Sequence, residues 1–177
     1  MYELENKYVP SSRRFGFVNW IGVWHLYKKE ILRFLTVWAQ TLFAPMITSI
    51  LFLLVISLAI GNERGNVLGV SFINFLAPGL IAMQIIQQAF SHSSSSLLMG
   101  KIMGNIVDMI AAPLSPGEVT ISIIFASITR ALMIAIASII VFSFLIDIEI
   151  NNILYIIIYI FLSSFILGAA GFIAGLW

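Results

Sequence analysis

Few residues in this 177-residue chain are of the types that carry out catalysis or hold a cofactor. A nucleotide-phosphate loop needs glycines followed by lysine and a hydroxyl residue, whereas the single Gly-Lys pair, Gly100-Lys101, continues into Ile102. Metalloprotease, serine-hydrolase and EF-hand patterns do not occur, and cysteine is missing. The two histidines, His25 and His92, lie far apart in sequence without a ligand set around them. We therefore expect no catalytic, cofactor or metal site and no enzymatic activity on this chain.

Arg130 is the one full charge inside a long apolar stretch. Ala131 to Ile146 is 16 residues, about 24 Å of helix, so Arg130 is predicted near one edge of a hydrocarbon layer. Two roles stay open, an interfacial anchor or a charge on a translocation path or dimer contact. Four amides also fall in or near apolar sequence, and we favour bridges between helices over the lining of a polar cavity. They are Asn74, Gln84, Gln87 and Gln88.

The composition places these residues in a lipid bilayer. The chain is 60% hydrophobic and 10% charged, whereas soluble domains carry about 25% charged residues. A hydrocarbon core of about 30 Å needs about 20 apolar residues of helix, and four stretches are long enough. They lie at about 37–60, 70–90, 121–146 and 153–176. We predict an all-α polytopic membrane helix bundle with a transmembrane domain at 36–177, its second span ending before a serine run.

Lysines and arginines in short flanking segments predict the orientation, because cationic loops are retained in the cytoplasm. Six of the nine cations precede the first span, whereas the segments after the first and third spans carry only Arg64. We therefore expect residues 1–16 to form a polar cytoplasmic amino terminus and the segment with Lys101 to be cytoplasmic too. The net charge of +1 gives no field that would recruit nucleic acid.

Residues 17–35 combine apolar positions at helical spacing with histidine, lysine and arginine between them. Trp20, Trp24 and Tyr27 favour the headgroup level, and Lys28 and Lys29 can meet anionic lipid. We predict an amphipathic helix in the membrane interface, in contact with lipid. An ordinary positive-inside anchor is a compatible alternative.

The cytoplasmic loop between the second and third spans, about residues 97–118, has helical material up to Ile110 and then two prolines. A helix is predicted to stop near Ala112, because neither proline can continue it. Ser115, with Pro116 at the first helical position and Glu118 three residues on, predicts a capping box. On these local signals alone, we favour a plain helix-turn-helix connection, and a docking element needs a further signal.

Four segments stand in a distinctive order. They are the basic aromatic segment Trp20 to Arg33, Ala44-Pro45-Met46, Phe75-Leu76-Ala77-Pro78-Gly79-Leu80, and Ala111-Ala112-Pro113-Leu114-Ser115-Pro116-Gly117-Glu118. Over about residues 20–177 this order resembles the membrane subunit of type-2 ATP-binding-cassette (ABC) transporters. The resemblance implies the permease subunit of an exporter in a bacterial inner membrane, paired with a second copy. It also implies that ATP is hydrolysed on a separate ATPase subunit.

By the same resemblance, the loop from Gly104 to Glu118 docks on that ATPase, which would push on it and switch the membrane dimer between states. The residues assigned to docking are Gly104, Asn105, Asp108, Ala112, Pro113, Leu114, Ser115, Pro116 and Glu118. Relatives move drugs, lipids or surface polysaccharides, and the four spans do not distinguish among these substrates.

The chain departs from the family pattern by carrying four spans where members typically have six, so we expect a truncated or split copy. A serine run and Gly100-Lys101 also stand where members often carry several charges. The alternative is a non-ABC membrane protein, such as half of a secondary transporter or an accessory assembly subunit. In the fourth span, Gly168, Gly171 and Gly175 form a small-residue face for close helix packing, within the subunit or in a dimer.

Overall fold

The computed structural model describes residues 16–60, 66–67, 69–146 and 152–177. This part of the chain forms six helices and one pair of two-residue strands. Their bounds are α1 Trp20–Thr36, α2 Trp38–Ile60, β1 Asn66–Val67, β2 Val70–Ser71, α3 Phe72–Ile102, α4 Ile106–Ala111, α5 Pro116–Ser143 and α6 Ile153–Leu176. Helices α2, α3, α5 and α6 are long and apolar enough to cross a membrane. The predicted all-α bundle with four membrane helices is confirmed; the predicted polar segment 1–16, except Gly16, lies outside the described residues.

Two of the membrane helices are longer than a bilayer requires. α3 has 31 residues and α5 has 28, about 46 Å and 42 Å of helix, against a hydrocarbon core of about 30 Å. Lys101 and Glu118 lie at the ends where these two helices are joined through α4. We call this the inner end of the bundle, and we infer that the excess length projects past the hydrocarbon there.

The serine run after the predicted second span does not end the helix. α3 continues 12 residues beyond position 90, to Ile102. Ser94 and Ser95 donate hydrogen bonds to carbonyls three residues earlier, while Ser93 and Ser96 are buried. Serine is compatible with a helix when its hydroxyl bonds back along the chain and its small side chain admits a neighbouring helix.

Helix α5 lies at the centre of the bundle. Half of its most apolar window is buried, against 33% for α3 and 17% for α2 and α6. Ala77 and Ala89 of α3 and Ala131 and Ala135 of α5 are fully buried in the main core cluster, where small side chains let the two backbones approach. On one side α6 packs extensively along α3, whereas α2 packs much more loosely on the other.

Helix α1 packs beside the inner part of α5. Three hydrogen-bonded pairs follow one another in the same order along both helices, so α1 and the first turns of α5 run in the same sense. Leu26, Glu30 and Phe34, spaced four residues apart, are the buried face of α1. The three hydrogen-bonded pairs are Asn19 with Glu118, Val23 with Ser122, and Tyr27 with Thr129.

A break interrupts the helical stretch predicted between Leu97 and Ile110. Gly104 has a φ of 75°, in the left-handed region that glycine adopts without steric cost, and it separates α3 from α4. The predicted stop near Ala112 is confirmed, because α4 ends at Ala111 and Ala112 is extended. The inner connection is therefore a turn, a short helix and an extended segment.

Candidate functional site

The predicted docking residues form the inner connection between α3 and α5. Gly104, Asn105 and Asp108 are exposed. The residues around the start of α5 contact Asn19, at the beginning of α1. Gly104 and Asn105 lie in the turn before α4, Asp108 in α4, Ala112, Pro113, Leu114 and Ser115 in the extended segment, and Pro116 and Glu118 in the first turn of α5.

The amino terminus of α5 has the predicted capping box. The Ser115 hydroxyl accepts from the Glu118 backbone N–H at 3.3 Å, and the Glu118 carboxylate accepts from the Ser115 backbone N–H at 2.7 Å. Pro116 occupies the start of the helix, where a missing N–H costs nothing. The prediction of a capped helix start is confirmed.

Glu118 also joins α5 to α1. Its other oxygen accepts from the backbone N–H of Asn19 at 2.6 Å, and the Asn19 side chain donates to the carbonyl of Pro113 at 3.0 Å. The Asn19 oxygen caps α1 by accepting from the Gly22 N–H. One carboxylate thus faces two helix amino termini, where negative charge is stabilised. We call Asn19, Pro113, Ser115 and Glu118 the inner latch.

The extended segment also packs on α1 through Leu114. A Cβ on Gly22 would lie 2.6 Å from the Leu114 side chain and 2.8 Å from the Asn19 amide nitrogen, closer than real contacts allow. Gly22 thus leaves room for the Leu114 side chain beside α1.

Apolar side chains stand exposed around α4. Ile102 ends α3 and Met103 follows it, at 70% and 68% exposure, and Val107 and Ile110 lie on α4 at 66% and 76%. We call these four residues the apolar inner surface. All four lie at the inner end of the bundle, and exposed apolar side chains grouped in one region are typical of a protein or membrane contact.

A buried polar cluster lies where α1 meets α3. Glu30 is 2% exposed, and its Oε2 is 3.0 Å from Arg33 Nη2 and 3.8 Å from His92 Nε2, ion-pair distances without hydrogen-bond geometry. His92 is fully buried and meets the Phe34 ring edge-on, with centroids 5.8 Å apart. The cluster attaches α1 to the bundle a second time, beyond the inner latch.

The Arg130 guanidinium lies between α5 and α3. Its Nη2 donates to Gln88 Oε1 at 2.7 Å, and Nη1 is 3.4 Å from His92 Nδ1. Arg130 also lines a cavity of about 460 Å³ between α2 and α3. The charge is directed into the bundle; its predicted roles, anchor or path charge, stay predictions.

Gln84 joins three helices inside the bundle. Its amide nitrogen donates to the Pro45 carbonyl at 2.7 Å and to the Ser49 hydroxyl, both in α2. Its oxygen accepts from Ser138 of α5 at 2.9 Å. This amide bridges helices, as we favoured for it, and Gln88 bridges to Arg130. Gln87 instead faces the cavity.

The three glycines of α6 face α3 and α5 within the subunit. A Cβ on Gly171 would collide with the Phe90 backbone, one on Gly175 would meet the Ser94 carbonyl, and one on Gly168 would meet the Ser127 hydroxyl. All three glycines are buried. The structure thus assigns this face to packing inside one chain.

Three residues of these sites were not singled out from sequence. Asn19 and Glu30 fall in the predicted amphipathic helix and Ser93 in the serine run after the predicted second span; all three are buried. The four-residue spacing of Leu26, Glu30 and Phe34 was the available signal for Glu30.

Comparison with known proteins gives a family match over most of the chain. The family model described as ABC-2 type transporter matches residues 22–177. The inner membrane transport permease YadH of Escherichia coli K12 is 27% identical over 158 residues, and YadH of Shigella flexneri gives the same value. These matches cover 89% of this chain but 62% of each relative. No solved structure matches.

Proposed function

Because the chain belongs to the ABC-2 type transporter family, we propose that it is a permease segment of an exporter driven by ATP hydrolysis on a separate ATPase subunit. The similar YadH proteins are named inner membrane transport permeases, which supports a bacterial inner membrane as its location. Since the chain covers 62% of their length, the proposal concerns a protein that contains this segment. The non-ABC alternative has no support from the family match.

The observation that carries the proposal is the apolar inner surface beside the inner latch. The exposed Val107 and Ile110 lie on α4, which is continuous with the extended segment that Asn19 and Glu118 hold. A partner that binds α4 would therefore act on a connection with fixed attachments to α1 and α5. Such a partner must bind the two transport states with different free energies to shift the equilibrium between them.

Photo-crosslinking tests the partner. A photoreactive phenylalanine at Ile110, in the cells that naturally produce the chain, is expected to capture an ABC ATPase, identified by mass spectrometry. The matched control is Tyr155, exposed to a similar degree, 72% against 76%, but near the opposite end of the bundle. Capture of the same ATPase from Tyr155, or its absence from the Ile110 adducts, contradicts the proposal.

A second experiment tests the proposed orientation, with the inner end in the cytoplasm. The cysteine-free sequence permits single-cysteine labelling without background. A membrane-impermeant maleimide added to intact spheroplasts is expected to label Asn152→Cys and to spare Lys101→Cys until the membrane is opened. The reverse pattern would place the inner latch outside the cell and exclude contact with a cytoplasmic ATPase.

The proposal includes a second copy of the permease, because the family resemblance implies a dimer. Counting bleaching steps of a fluorescently tagged chain in isolated membrane nanodiscs is expected to give two steps for most particles. Single steps throughout would contradict pairing, while leaving the ATPase contact to be tested by crosslinking at Ile110.

A further inference from the structure

The cavity beside Arg130 has an excess of positive charge. Arg33 and Arg130 lie around His92 with one carboxylate, Glu30, and that carboxylate is within ion-pair distance of Arg33. Arg130 makes no ion pair with a carboxylate in the described part of the chain, where its hydrogen-bond partners are the neutral Gln88 and His92. Its Nε is buried and has no partner among the described residues. A desolvated guanidinium with neutral neighbours favours an anion.

Arg130 lies close to the level of the inner lipid headgroups. Gln88, which binds Arg130, is 16 residues from the start of α3 at Phe72, about 24 Å along the helix. A hydrocarbon core of about 30 Å that begins near Phe72 would end about 6 Å past Gln88, so the Arg130 guanidinium lies close to the inner boundary of the hydrocarbon. Exposed Lys28 and Lys29 of α1 follow Tyr27, which contacts α5 at Thr129, next to Arg130.

The cavity is polar at one end and apolar at the other. Gln40, Gln87 and Arg130 line the end toward the inner side of the bundle, while Phe52, Leu80 and Met83 line the end toward the membrane centre. From position 80 to position 91 the lining extends over about 17 Å of α3. Its volume of about 460 Å³ lies within the range of small-molecule sites. An amphiphile would place its head at Arg130 and its chain beside Met83.

We propose that this cavity binds an anionic phospholipid of the inner leaflet, with the headgroup phosphate at Arg130 and an acyl chain along the apolar end. The binding needs neither ATP nor a partner subunit, so this proposal can be tested independently of the proposed transport function.

Native mass spectrometry tests the proposal. The chain is reconstituted in nanodiscs with equal amounts of phosphatidylglycerol and phosphatidylcholine, transferred to detergent, and the retained lipid is identified. Wild type is expected to retain phosphatidylglycerol over phosphatidylcholine by about fivefold, the factor expected for one cation near an anionic headgroup. Arg130→Gln is expected to lose this preference, whereas Arg130→Lys keeps most of it. Lys101→Gln, which removes an exposed cation at the inner end of the bundle, outside the cavity, should retain the full preference.

A second variant separates binding from folding. Met83 is 62% exposed and lines the apolar end, so Met83→Trp narrows the cavity without changing its charge and should reduce retained lipid. Three results would overturn the proposal: an undiminished preference in Arg130→Gln, displacement of the lipid by inorganic phosphate, or a lipid-free dimer in which a second copy fills the cavity. Retention that resists inorganic phosphate and falls in both cavity variants supports it.

Discussion

The two sides of α3 are built differently. Toward α6, the buried Gly171 and Gly175 of that helix lie directly against the backbone of α3, so the two helices approach closely. Toward α2, packing is loose, and the space holds a cavity of about 460 Å³ lined by amides, hydroxyls and Arg130. In lipid, close contact and dispersion stabilise a helix pair, whereas polar groups hold helices at the few points where partners meet. The α6 side is therefore expected to be rigid and the α2 side adjustable.

The largest loss of stability is expected from a substitution in the close contact between α6 and α3. Gly171→Ala places a methyl group against the Phe90 backbone, which cannot move aside, and is expected to lower the free energy of unfolding by about 2 kcal/mol or more. The matched control is Gly79→Ala in α3, where a Cβ meets nothing within 4 Å. That variant should be neutral or more stable by up to about 1 kcal/mol, because alanine favours helix. Unfolding in mixed micelles measures both, and equal values would refute the assignment of Gly171 to a backbone contact.

A smaller loss of stability is expected from a substitution in the looser contact between α2 and α3. Gln84→Leu removes the amide that joins α2 to α3 and α5, at a cost of about 1 to 2 kcal/mol. Hydrogen exchange should rise in α2 and remain unchanged in α6. Gln87→Leu, the same substitution on the exposed cavity side of α3, is the control and should leave both unchanged. Equal exchange in α2 for the two variants would show that Gln84 does not hold that helix.

The smallest loss of stability is expected at Gly168, which also lies in the tightly packed contacts of α6. At Gly168 the obstacle is the Ser127 hydroxyl, a group that can rotate, so Gly168→Ala should cost less than about 1 kcal/mol. In a double-mutant cycle, Ser127→Ala should relieve most of this cost because it removes the obstructing oxygen. Additive effects of the two substitutions would mean that they do not share one contact.

Sequence predicted the features that depend on local chemistry. The four long helices follow from apolar length, and the capping box of Ser115 and Glu118 follows from residue types at fixed spacing. The break at Gly104 was not predicted, because glycine is also tolerated inside a helix when packing supplies the stability.

The partners across helices could not be read from the sequence in the same way. The bond from Glu118 to Asn19 joins residues 99 apart, and Gln84 reaches Pro45 and Ser138 in different helices. A buried amide or carboxylate takes the neighbour that packing supplies, so its type predicts a bond without predicting the partner. The polarity of the serine run predicts the end of the second span, whereas the small size of serine lets the helix continue and Ser93 become buried.

One residue, Val37, separates α1 from α2, and its φ of −112° and ψ of 34° depart from helical geometry. Since a residue has two soft torsions, the relative direction of these helices is set chiefly by two angles. The 23 residues of α2 extend about 34 Å, so a rotation of about 10° at Val37 would displace the far end by about 6 Å. A small change in the torsion angles of Val37 would thus move the far end of α2, while α1 stays attached to α5 at Glu118.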